Sequence, residues 1–531
     1  MQNKSSKGNL HLNRRKMLQL LGAVGGSLAL SSCRESDPPV IEELPAKEPL
    51  KTDTNLVHQA PKISDLPDNL NRENFIVHNE KPLALESLRD IHSSAPITPL
   101  EKLFVRNNLP MPSADIVKNP DQWVLEFGET SITLEALKTL PIVHETSVLQ
   151  CSGNGRGFFE HKVSGSQWKT GAAGCVMWTG TRVRDLIEHL GITLSPEQQY
   201  LTATGGEILP EGVERDKVIV ERSVPIEKGL KDCLLAWEVN GVPLPITHGG
   251  PLRLIVPGYF GCNQIKYVKK IAFTIEQTKA KIQHSGYRFR PIGQKGSPDQ
   301  PSLWRMPVKS WLVGATTVKK GWNSFFGYAF SGERGIKNVF YSIDGNSWKE
   351  VSLLSPNLGV NAWRAFQIRL ALPLGTHQIF TKAIDNQGEE QPALRIENER
   401  GYRHNGWRDH AQTIHVVEKM ETNTVSAAIQ QPKQETPVAK TPKDIKLSEA
   451  GERGQKLFAE GTQPNCGVCH TLDHAGTNGA IGPNLNQLQP SKEQVQKAVK
   501  HGVGVMPEFS GQLTEDQISD IAAYILEVTK R

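Results

Sequence analysis

The pattern of apolar and polar positions changes along the chain. Short β-type runs such as Asp216–Glu221 and Leu252–Pro257 lie among loops, together with one helix candidate, Arg182–Leu190. From about Trp311 to Glu418 the runs become regularly spaced strands with turns, and Asp344-Gly345 is a hairpin signal. These patterns predict a mixed α+β region followed by an all-β sandwich.

A helical period returns near the C-terminus. The segment Thr514–Val528 begins with the capping-box sequence Thr514-Glu515-Asp516-Gln517. The apolar residues that follow fall on one face of a helix: Ile518, Ile521, Ala522, Ile525 and Val528. We therefore expect an amphipathic helix at this end of the sequence.

The N-terminal pattern is typical of an export signal. Arg14 and Arg15 precede the apolar run Met17–Leu30, whose 14 residues fall short of the ~20 that a membrane-spanning helix needs. The adjacent arginines resemble a Tat signal, which carries folded proteins across a membrane. The residues that end at Cys33 resemble a bacterial lipobox. We therefore expect a periplasmic protein that is lipid-anchored to the membrane through Cys33.

Two segments lack any apolar period. Residues 34–66 are charged and contain prolines, which predicts a tether, and residues 420–446 are rich in Pro, Thr, Lys and Gln, which predicts a linker. A flexible linker of this length spans about 25–30 Å, enough for the C-terminal domain to move between partners. The resulting division is a signal over 1–33, the tether, folded regions over 67–280 and 281–419, the linker, and a last domain over 447–531.

Composition narrows the classes of function. The 531 residues carry 61 Lys+Arg against 56 Asp+Glu, a formal net charge of +5 at pH 7, and no basic block alternates with aromatic residues. Nucleic acid is therefore not expected as a partner. The seven cysteines are too few and too scattered for a disulfide scaffold.

Cys466-Gly467-Val468-Cys469-His470 is the attachment signature of a c-type haem. The thiols of Cys466 and Cys469 reach the two vinyl groups, and His470 lies under the iron. Met506, which lies 36 residues beyond His470, can supply the sixth iron ligand. Together with Ile481–Leu485 and the final helix, this order resembles a class I cytochrome c.

A second candidate site surrounds Cys151, which follows an apolar run and begins the Gly-rich loop Cys151–Arg156. Arginine beside a thiol stabilises the thiolate, which can ligate a soft metal. Basic side chains among Gly-rich loops also suit a phosphate-bearing ligand. On the residues alone, a loop cysteine is more commonly inert, and composition does not name the ligand.

From about Asn69 to Glu418 the chain resembles the sulfite oxidase family of molybdenum enzymes. The motifs that carry the resemblance are FVRNNLP (104–110), LQCSGNGR (149–156), GAAGCVMWTGTRVRDLI (171–187), NGVPLP (240–245), HGGPLRLIVPG (248–258) and QIK (264–266). It implies a multidomain fold with an α+β sulfite-oxidase-type molybdopterin domain, an all-β immunoglobulin-like sandwich dimerisation domain and an all-α cytochrome c domain. It also implies Mo-molybdopterin beside haem c, and a homodimer.

The resemblance carries roles onto individual residues. Cys151 becomes the single protein thiolate on molybdenum, and Arg106 and Arg156 form a positive pocket, because guanidinium forks bind oxyanions in bidentate fashion. A further acidic contact to the pterin falls at Glu207 or at Asp216. The residues implied to hold the pterin and its phosphate are Phe104, Val105, Arg106, Asn107, Asn108, His248, Arg253, Gln264, Ile265 and Lys266.

Three positions depart from the family pattern. Asn108 stands where sulfite oxidases usually carry His, and Trp237 stands where they carry a pocket Tyr. Lys337-Asn338 stands where the sandwich is expected to supply a pocket arginine. We therefore place Asn108 and Trp237 in the catalytic pocket and expect the pocket to be open to substrates other than free sulfite.

A two-electron centre joined to a one-electron haem predicts a dehydrogenase. It would oxidise sulfite or a related inorganic sulfur compound and pass electrons to an external acceptor such as a cytochrome c. The alternatives are a sulfane-sulfur dehydrogenase, a sulfoxide reductase, and an electron-transfer protein whose Cys151 domain no longer binds molybdenum. The cysteines that remain, Cys175, Cys233 and Cys262, are expected to be small buried apolar residues.

Overall fold

The computed structural model describes residues 70–90, 95–161, 163–210, 212–420, 445–480, 482–503 and 506–529. All of them belong to one unit, Ala60–Arg531. The expected export signal with Cys33, the tether and most of the linker lie outside the described residues. Within the described ranges, no helix combines the length and the apolar character that crossing a bilayer requires.

A three-stranded antiparallel sheet comes first. It consists of β1 (Phe75–Asn79), β2 (Ala84–Ser87) and β3 (Val105–Arg106) in sequence order. The carboxylate of Glu86 is buried and accepts the backbone N–H groups of Lys169 (2.8 Å) and Gly171 (2.9 Å). The His78 ring nitrogen Nε2 lies 2.7 Å from the same carboxylate. Glu86 therefore fixes this sheet to the loop that leads into the central region.

Two further sheets form the central region. The first contains β6 (Val143–Gln150), β7 (Ala173–Arg182), β10 (Leu234–Val239), β11 (Val242–Pro243) and β12 (Arg253–Ile255), in the order β11-β10-β7-β6 with β12 beside β10. The second contains β4 (Val124–Phe127), β5 (Thr130–Thr133), β8 (Tyr200–Gly205), β9 (Glu221–Pro225) and β13 (Val268–Thr274), in the order β5-β4-β13-β8-β9. Val148, Leu235, Leu201 and Ile271 from the two sheets share one apolar core.

Four short helices accompany these sheets: α1 (Leu134–Leu137), α2 (Val183–His189), α3 (Arg215–Val218) and α4 (Ile226–Asp232). The predicted helix Arg182–Leu190 and the predicted strand Leu252–Pro257 are confirmed as α2 and β12. The predicted strand Asp216–Glu221 is wrong, because α3 occupies its first half and β9 begins only at Glu221. Its apolar residues Val218, Ile219 and Val220 all reach the core and so do not alternate as in a half-buried strand: Val218 ends α3, and the other two join α3 to β9.

Two sheets with a common core follow. One contains β14 (Lys309–Val313), β16 (Gly321–Phe330) and β19 (Arg364–Leu372), in the order β14-β16-β19. The other contains β15 (Thr317–Lys319), β17 (Ile336–Ser342), β18 (Lys349–Val351), β20 (Gly375–Asp385) and β21 (Gln412–Val417), in the order β15-β21-β20-β17-β18. Phe325, Phe366, Ile379 and Ile414 fill the space they share. The hairpin predicted at Asp344-Gly345 is confirmed, because it joins β17 to β18.

The last described region is mainly helical. It contains α5 (Glu449–Glu460), α6 (Cys466–Cys469), the hairpin β22 (His470–Leu472) and β23 (Thr477–Ala480), α7 (Leu485–Leu488), α8 (Lys492–His501) and α9 (Glu515–Thr529). The capping box is confirmed, since Thr514 Oγ1 accepts the Gln517 N–H (3.3 Å) and Gln517 Oε1 accepts the Thr514 N–H (2.9 Å). The hairpin is a departure from the expected all-α pattern.

Candidate functional site

Cys151 lies where a strand of the first central sheet ends. Strand β6 finishes at Gln150, and the Cys151 N–H donates to the carbonyl of Ala172 (2.9 Å). Asn154 closes the turn, because its Nδ2 donates to Gln150 Oε1 (3.0 Å) and its Oδ1 accepts the Ala172 N–H (3.1 Å). The loop is thereby held on both sides, and the half-buried Cys151 lines a cavity.

Three guanidinium groups, of Arg106, Arg156 and Arg400, line the cavity next to Cys151. No carboxylate lies among the described residues that line it. Arg156 donates through Nε to the Arg400 carbonyl (3.1 Å) and through Nη1 to the Ser166 carbonyl (3.2 Å). Burial lowers the pKa of Arg156. Such a concentration of positive charge suits an anionic ligand.

Asn108 holds two of the donors in place. Its Oδ1 accepts one hydrogen bond from Arg106 Nη2 (3.1 Å) and another from the Tyr287 hydroxyl (3.2 Å). The ring of Tyr287 lies 5.4 Å from the ring of Tyr402, and the Arg156 guanidinium lies 5.3 Å from the centre of the Tyr402 ring. The cavity therefore presents a phenol and an amide together with its cations.

Two of the expected pocket positions are wrong. Trp237 in β10 is 6% exposed and packs into the core between the central sheets, because alternate residues of a buried strand point away from one another. Lys337 and Asn338 lie on β17, within the second pair of sheets, and do not line the cavity. The phenol and the additional cation come from Tyr287 and Arg400 instead.

Tyr287 and Arg400 were missed because both follow irregular backbone. Tyr287 ends the π-helical turn Ile282–Gly286, and Arg400 lies in the long connection between β20 and β21. Neither segment has an apolar period that would fix the direction of its side chains. The local signal is a neighbouring glycine in each case, Gly286 before Tyr287 and Gly401, with a φ of +59°, after Arg400.

The prediction that Val105 helps to hold the pterin is also wrong. It is fully buried and packs with Leu83 and Leu85. Phe104 and Arg106, its neighbours in sequence, line the ligand cavities. Val105 and Arg106 form β3, and because successive strand residues point to opposite faces, Val105 points away from the cavity that Arg106 lines.

A second cavity shares Cys151, Arg106, Asn108 and Tyr287 with the first. Unpaired buried polar groups are rare in folded proteins, so a wall that carries several is suited to a ligand with both donors and acceptors. The buried lining atoms without a hydrogen-bond partner are Ser152 Oγ, Glu207 Oε2, His248 Nε2, Arg253 Nε and Gln264 Oε1. The wall also includes Phe104, Asn107, Ile265 and Lys266.

His248, Arg253 and Lys266 form the basic part of the second cavity. Burial, together with the charges of Lys266 and Arg253, lowers the pKa of His248 to about 3, so the imidazole is neutral. Arg253 Nη1 donates to the His248 carbonyl (2.8 Å), and Lys266 Nζ donates to Asn107 Oδ1 (2.9 Å). These residues fit the phosphate and the polar edge of a pterin.

Glu207, and not Asp216, lies at this cavity. Burial raises the pKa of Glu207 to about 7, whereas Asp216 is exposed on α3. A Cβ atom on Gly205 would lie 2.1 Å from Glu207 Oε2. The glycine at position 205 therefore leaves the space in which the Glu207 carboxyl group lies.

The three other cysteines of this region differ in their surroundings. Cys175 and Cys233 are fully buried in the core, as expected, and burial raises the pKa of Cys175 to about 12. Cys262 was also expected in the core, but it lines the second cavity with Cys151. Burial raises the pKa of Cys262 to about 11, which keeps this thiol protonated.

The CxxCH motif forms helix α6 and the start of β22. His470 Nδ1 lies 2.9 Å from the Pro483 carbonyl, which orients the ring and leaves Nε2 available as a ligand. Burial lowers the pKa of His470, which favours the neutral imidazole. Cys466, Cys469, His470 and Met506 line one apolar cleft together with Phe458, Leu485, Val495, Val499, Ile521 and Ile525.

The cleft around His470 and the cavity around Cys151 are parts of one continuous cavity. Its wall runs from Cys151 and Arg156 to Cys469 and Met506. The two candidate redox sites therefore face one another in this arrangement, although they are 315 residues apart along the chain from Cys151 to Cys466.

Two protein families match the chain. Residues 109–282 match the family described as oxidoreductase molybdopterin binding domain. Residues 449–525 match the family described as cytochrome C oxidase, cbb3-type, subunit III. These matches identify Mo-molybdopterin and haem c as the cofactors of the chain.

Whole-chain comparisons point to one group of proteins. The mitochondrial sulfite oxidase of Rattus norvegicus is 30% identical over 366 residues, 64% of this chain and 65% of that enzyme. The sulfite oxidase of Gallus gallus is 30% identical over 360 residues, 62% of this chain and 76% of that enzyme. The chain thus spans slightly less than two thirds of the rat enzyme. A crystal structure of the sulfane dehydrogenase SoxCD from Paracoccus pantotrophus shares the fold, with a TM-score of 0.53, 21% identity, and coverage of 72% of this chain and 96% of that chain.

The position of Glu207 generates a testable prediction. If Glu207 binds the pterin, replacing it by Gln removes the carboxyl group from this wall, and a lost hydrogen bond of about 1 kcal/mol lowers affinity roughly fivefold. We expect the purified Glu207→Gln protein to retain less molybdenum per haem. The matched variant Asp216→Asn, on the exposed helix α3, should retain the wild-type ratio. Equal molybdenum loss in both variants would contradict the assignment.

Proposed function

The chain belongs to the sulfite oxidase family, and from that premise we propose that it oxidises sulfite and passes the electrons through its haem to an external acceptor. The reaction converts sulfite and water into sulfate, two protons and two electrons. The observation that carries the proposal is the single cavity that joins the cationic pocket of Cys151 to the cleft of His470 and Met506. The acceptor is a one-electron carrier such as a cytochrome c.

The chemistry supplied by the bound cofactors is oxygen-atom transfer to sulfur at molybdenum and one-electron transfer at the haem. Cys151 is the protein thiolate that ligates the metal. Arg106, Arg156 and Arg400 would bind the sulfite dianion and donate to the oxygens of the sulfate dianion, which carries the same charge spread over one more oxygen. Tyr287 donates a hydrogen bond to the bound anion when its hydroxyl turns from Asn108.

The remaining assigned residues hold the cofactors. His248, Arg253 and Lys266 bind the pterin phosphate, and their burial keeps water from competing with it. Glu207 and Gln264 supply the polar partners of the pterin. Phe104, Asn107 and Ile265 form the rest of its wall. In the C-terminal domain, Cys466 and Cys469 would hold the haem covalently, and His470 and Met506 would ligate its iron.

A sulfane-sulfur dehydrogenase is the second candidate. The case for it rested partly on a pocket without a phenol and with one cation fewer. Tyr287 and Arg400 supply a phenol and a further cation to the pocket. Of the three departures from the family pattern, only Asn108 therefore changes the pocket, and free sulfite is favoured as the substrate. A sulfoxide reductase is disfavoured by the haem cleft on the same cavity, which suits electron export.

The proposal extends to the assembly and location of the protein. The paired sheets of residues 309–417 are an immunoglobulin-like domain that forms a homodimer. The twin-arginine segment directs export of the folded, molybdenum-loaded chain, and lipidated Cys33 then anchors it at the periplasmic face of the membrane. Attachment of haem c outside the cytoplasm agrees with this location.

The role of Cys151 is tested by Cys151→Ser. A serine hydroxyl is a poor ligand for a soft metal site, so sulfite-dependent reduction of an external cytochrome c should fall by more than the roughly hundredfold that loss of a supporting group costs. The haem absorption spectrum should remain unchanged, which serves as the folding control. Retained turnover in this variant would refute the assignment of Cys151 to molybdenum.

The role of Asn108 is tested by Asn108→Leu. Leucine has a similar size but no acceptor, so Arg106 and Tyr287 lose their common partner and the anion site becomes less ordered. Loss of such a hydrogen bond costs about 1 kcal/mol, and we expect the KM for sulfite to rise roughly fivefold to tenfold. The control Asn338→Leu on β17 should leave the KM unchanged. An unchanged KM in Asn108→Leu would mean that Asn108 does not organise the pocket.

A further inference from the structure

Basic side chains of the molybdenum region contact the backbone of the loop that carries Met506. Lys281 Nζ donates to the carbonyl of Met506 itself. Arg400 Nη1 donates to the carbonyl of Gly502 (2.5 Å), which lies directly after helix α8. The C-terminal end of a helix carries partial negative charge, so cations are favoured there. Gly502 and Met506 therefore each accept a hydrogen bond from a basic side chain of another part of the chain.

Gly502 makes this arrangement possible. Its φ is +63°, and a Cβ atom at this position would lie 2.5 Å from the Met506 carbonyl oxygen and 2.9 Å from Lys281 Nζ. Any side chain would thus displace the carbonyl or the amine that contacts it. The contact between Lys281 and Met506 requires glycine at this position, which is independent support for the arrangement.

The same two segments line the cavity around Cys151. Lys281 immediately precedes the π-helical turn Ile282–Gly286, and Tyr287 immediately follows it. Arg400 itself lines the cavity, and Tyr402 lies two residues beyond it. Each segment therefore presents a cation to the Met506 loop and a tyrosine to the pocket. A π-helical turn is frequently found at functional sites.

We infer that Lys281 is a positioning residue for the haem ligand Met506. The inference rests on the proposed ligation of the haem by Met506 and goes beyond it, because it assigns control of that ligand to the molybdenum region. Lys281 fixes the Met506 backbone, which sets where the thioether sulfur meets the iron. Outer contacts of a metal ligand tune ligand strength and redox potential. Docking of the two regions and the haem potential are therefore coupled.

The variant Lys281→Leu in the full-length, cofactor-loaded protein tests the inference. Leucine removes the donor, keeps an apolar stem and adds no new haem ligand. Losing one such hydrogen bond shifts a conformational equilibrium by roughly fivefold. We expect the red charge-transfer band of methionine-ligated ferric haem to lose intensity and the haem midpoint potential to fall. Molybdenum content should be unchanged.

The matched control is Lys295→Leu. Lys295 is exposed and contacts only side chains across the same interface, with Nζ 3.8 Å from Glu508 Oε1 and 3.4 Å from Ser510 Oγ. The Lys295→Leu variant therefore removes an interfacial charge without changing a contact to the Met506 backbone. The charge-transfer band and the haem midpoint potential should stay at their wild-type values. Gly502→Ala is a second test, because its added methyl group should reproduce the effect of Lys281→Leu.

Several outcomes overturn the inference. If Lys281→Leu and Gly502→Ala both keep the wild-type band and potential, Lys281 does not position Met506. If Lys295→Leu shifts them equally, general interfacial charge is responsible. If the wild-type protein lacks the band, Met506 is not the ligand, and the inference fails together with that assignment. If the wild-type protein does not oxidise sulfite, only the proposed substrate is contradicted, since the charge-transfer band and the midpoint potential do not depend on the substrate.

Discussion

The structure depends on keeping three guanidinium groups, those of Arg106, Arg156 and Arg400, beside one cysteine with no carboxylate among the described lining residues. Like charges this close repel one another, so each must be held by neutral partners. Carbonyl oxygens, the amide of Asn108 and the face of an aromatic ring do this. The positive charge therefore remains available for an anionic substrate, whereas a carboxylate partner would neutralise it.

The same constraint shapes the contact with the haem region. Arg400 binds the carbonyl of Gly502 at the end of helix α8, where its charge meets the partial negative charge of the helix dipole, and Lys281 binds the carbonyl of Met506. Lys497, which lies on helix α8, makes a contact in the opposite direction, because its Nζ donates to the His161 carbonyl (2.6 Å). Contacts of this kind are individually modest, and they suit an interface that forms and separates. In this arrangement the cavity of Cys151 and the cleft of His470 are continuous.

The sequence was informative wherever a motif has a fixed backbone geometry. The haem motif and the final helix with its capping box could be located from spacing, whereas the Cys151 loop and the basic residues from His248 to Lys266 were singled out by the resemblance to a known family. The errors occurred where a side chain's direction depends on tertiary packing. Trp237 and Val105 alternate into cores, and the cavity residues Tyr287 and Arg400 follow irregular segments with no period. The choice between Glu207 and Asp216 likewise required the fold, because only burial distinguishes the two carboxyl groups.

The most direct test of the account is an anaerobic single-turnover experiment with protein shown to contain both molybdenum and haem. The fully oxidised chain is mixed with sulfite, and the haem c absorbance is followed with no external acceptor present. The account predicts rapid and complete haem reduction within the same molecule, at a rate that does not depend on protein concentration. Haem that stays oxidised after mixing would contradict the proposal that sulfite is the substrate and that the shared cavity carries its electrons to the haem.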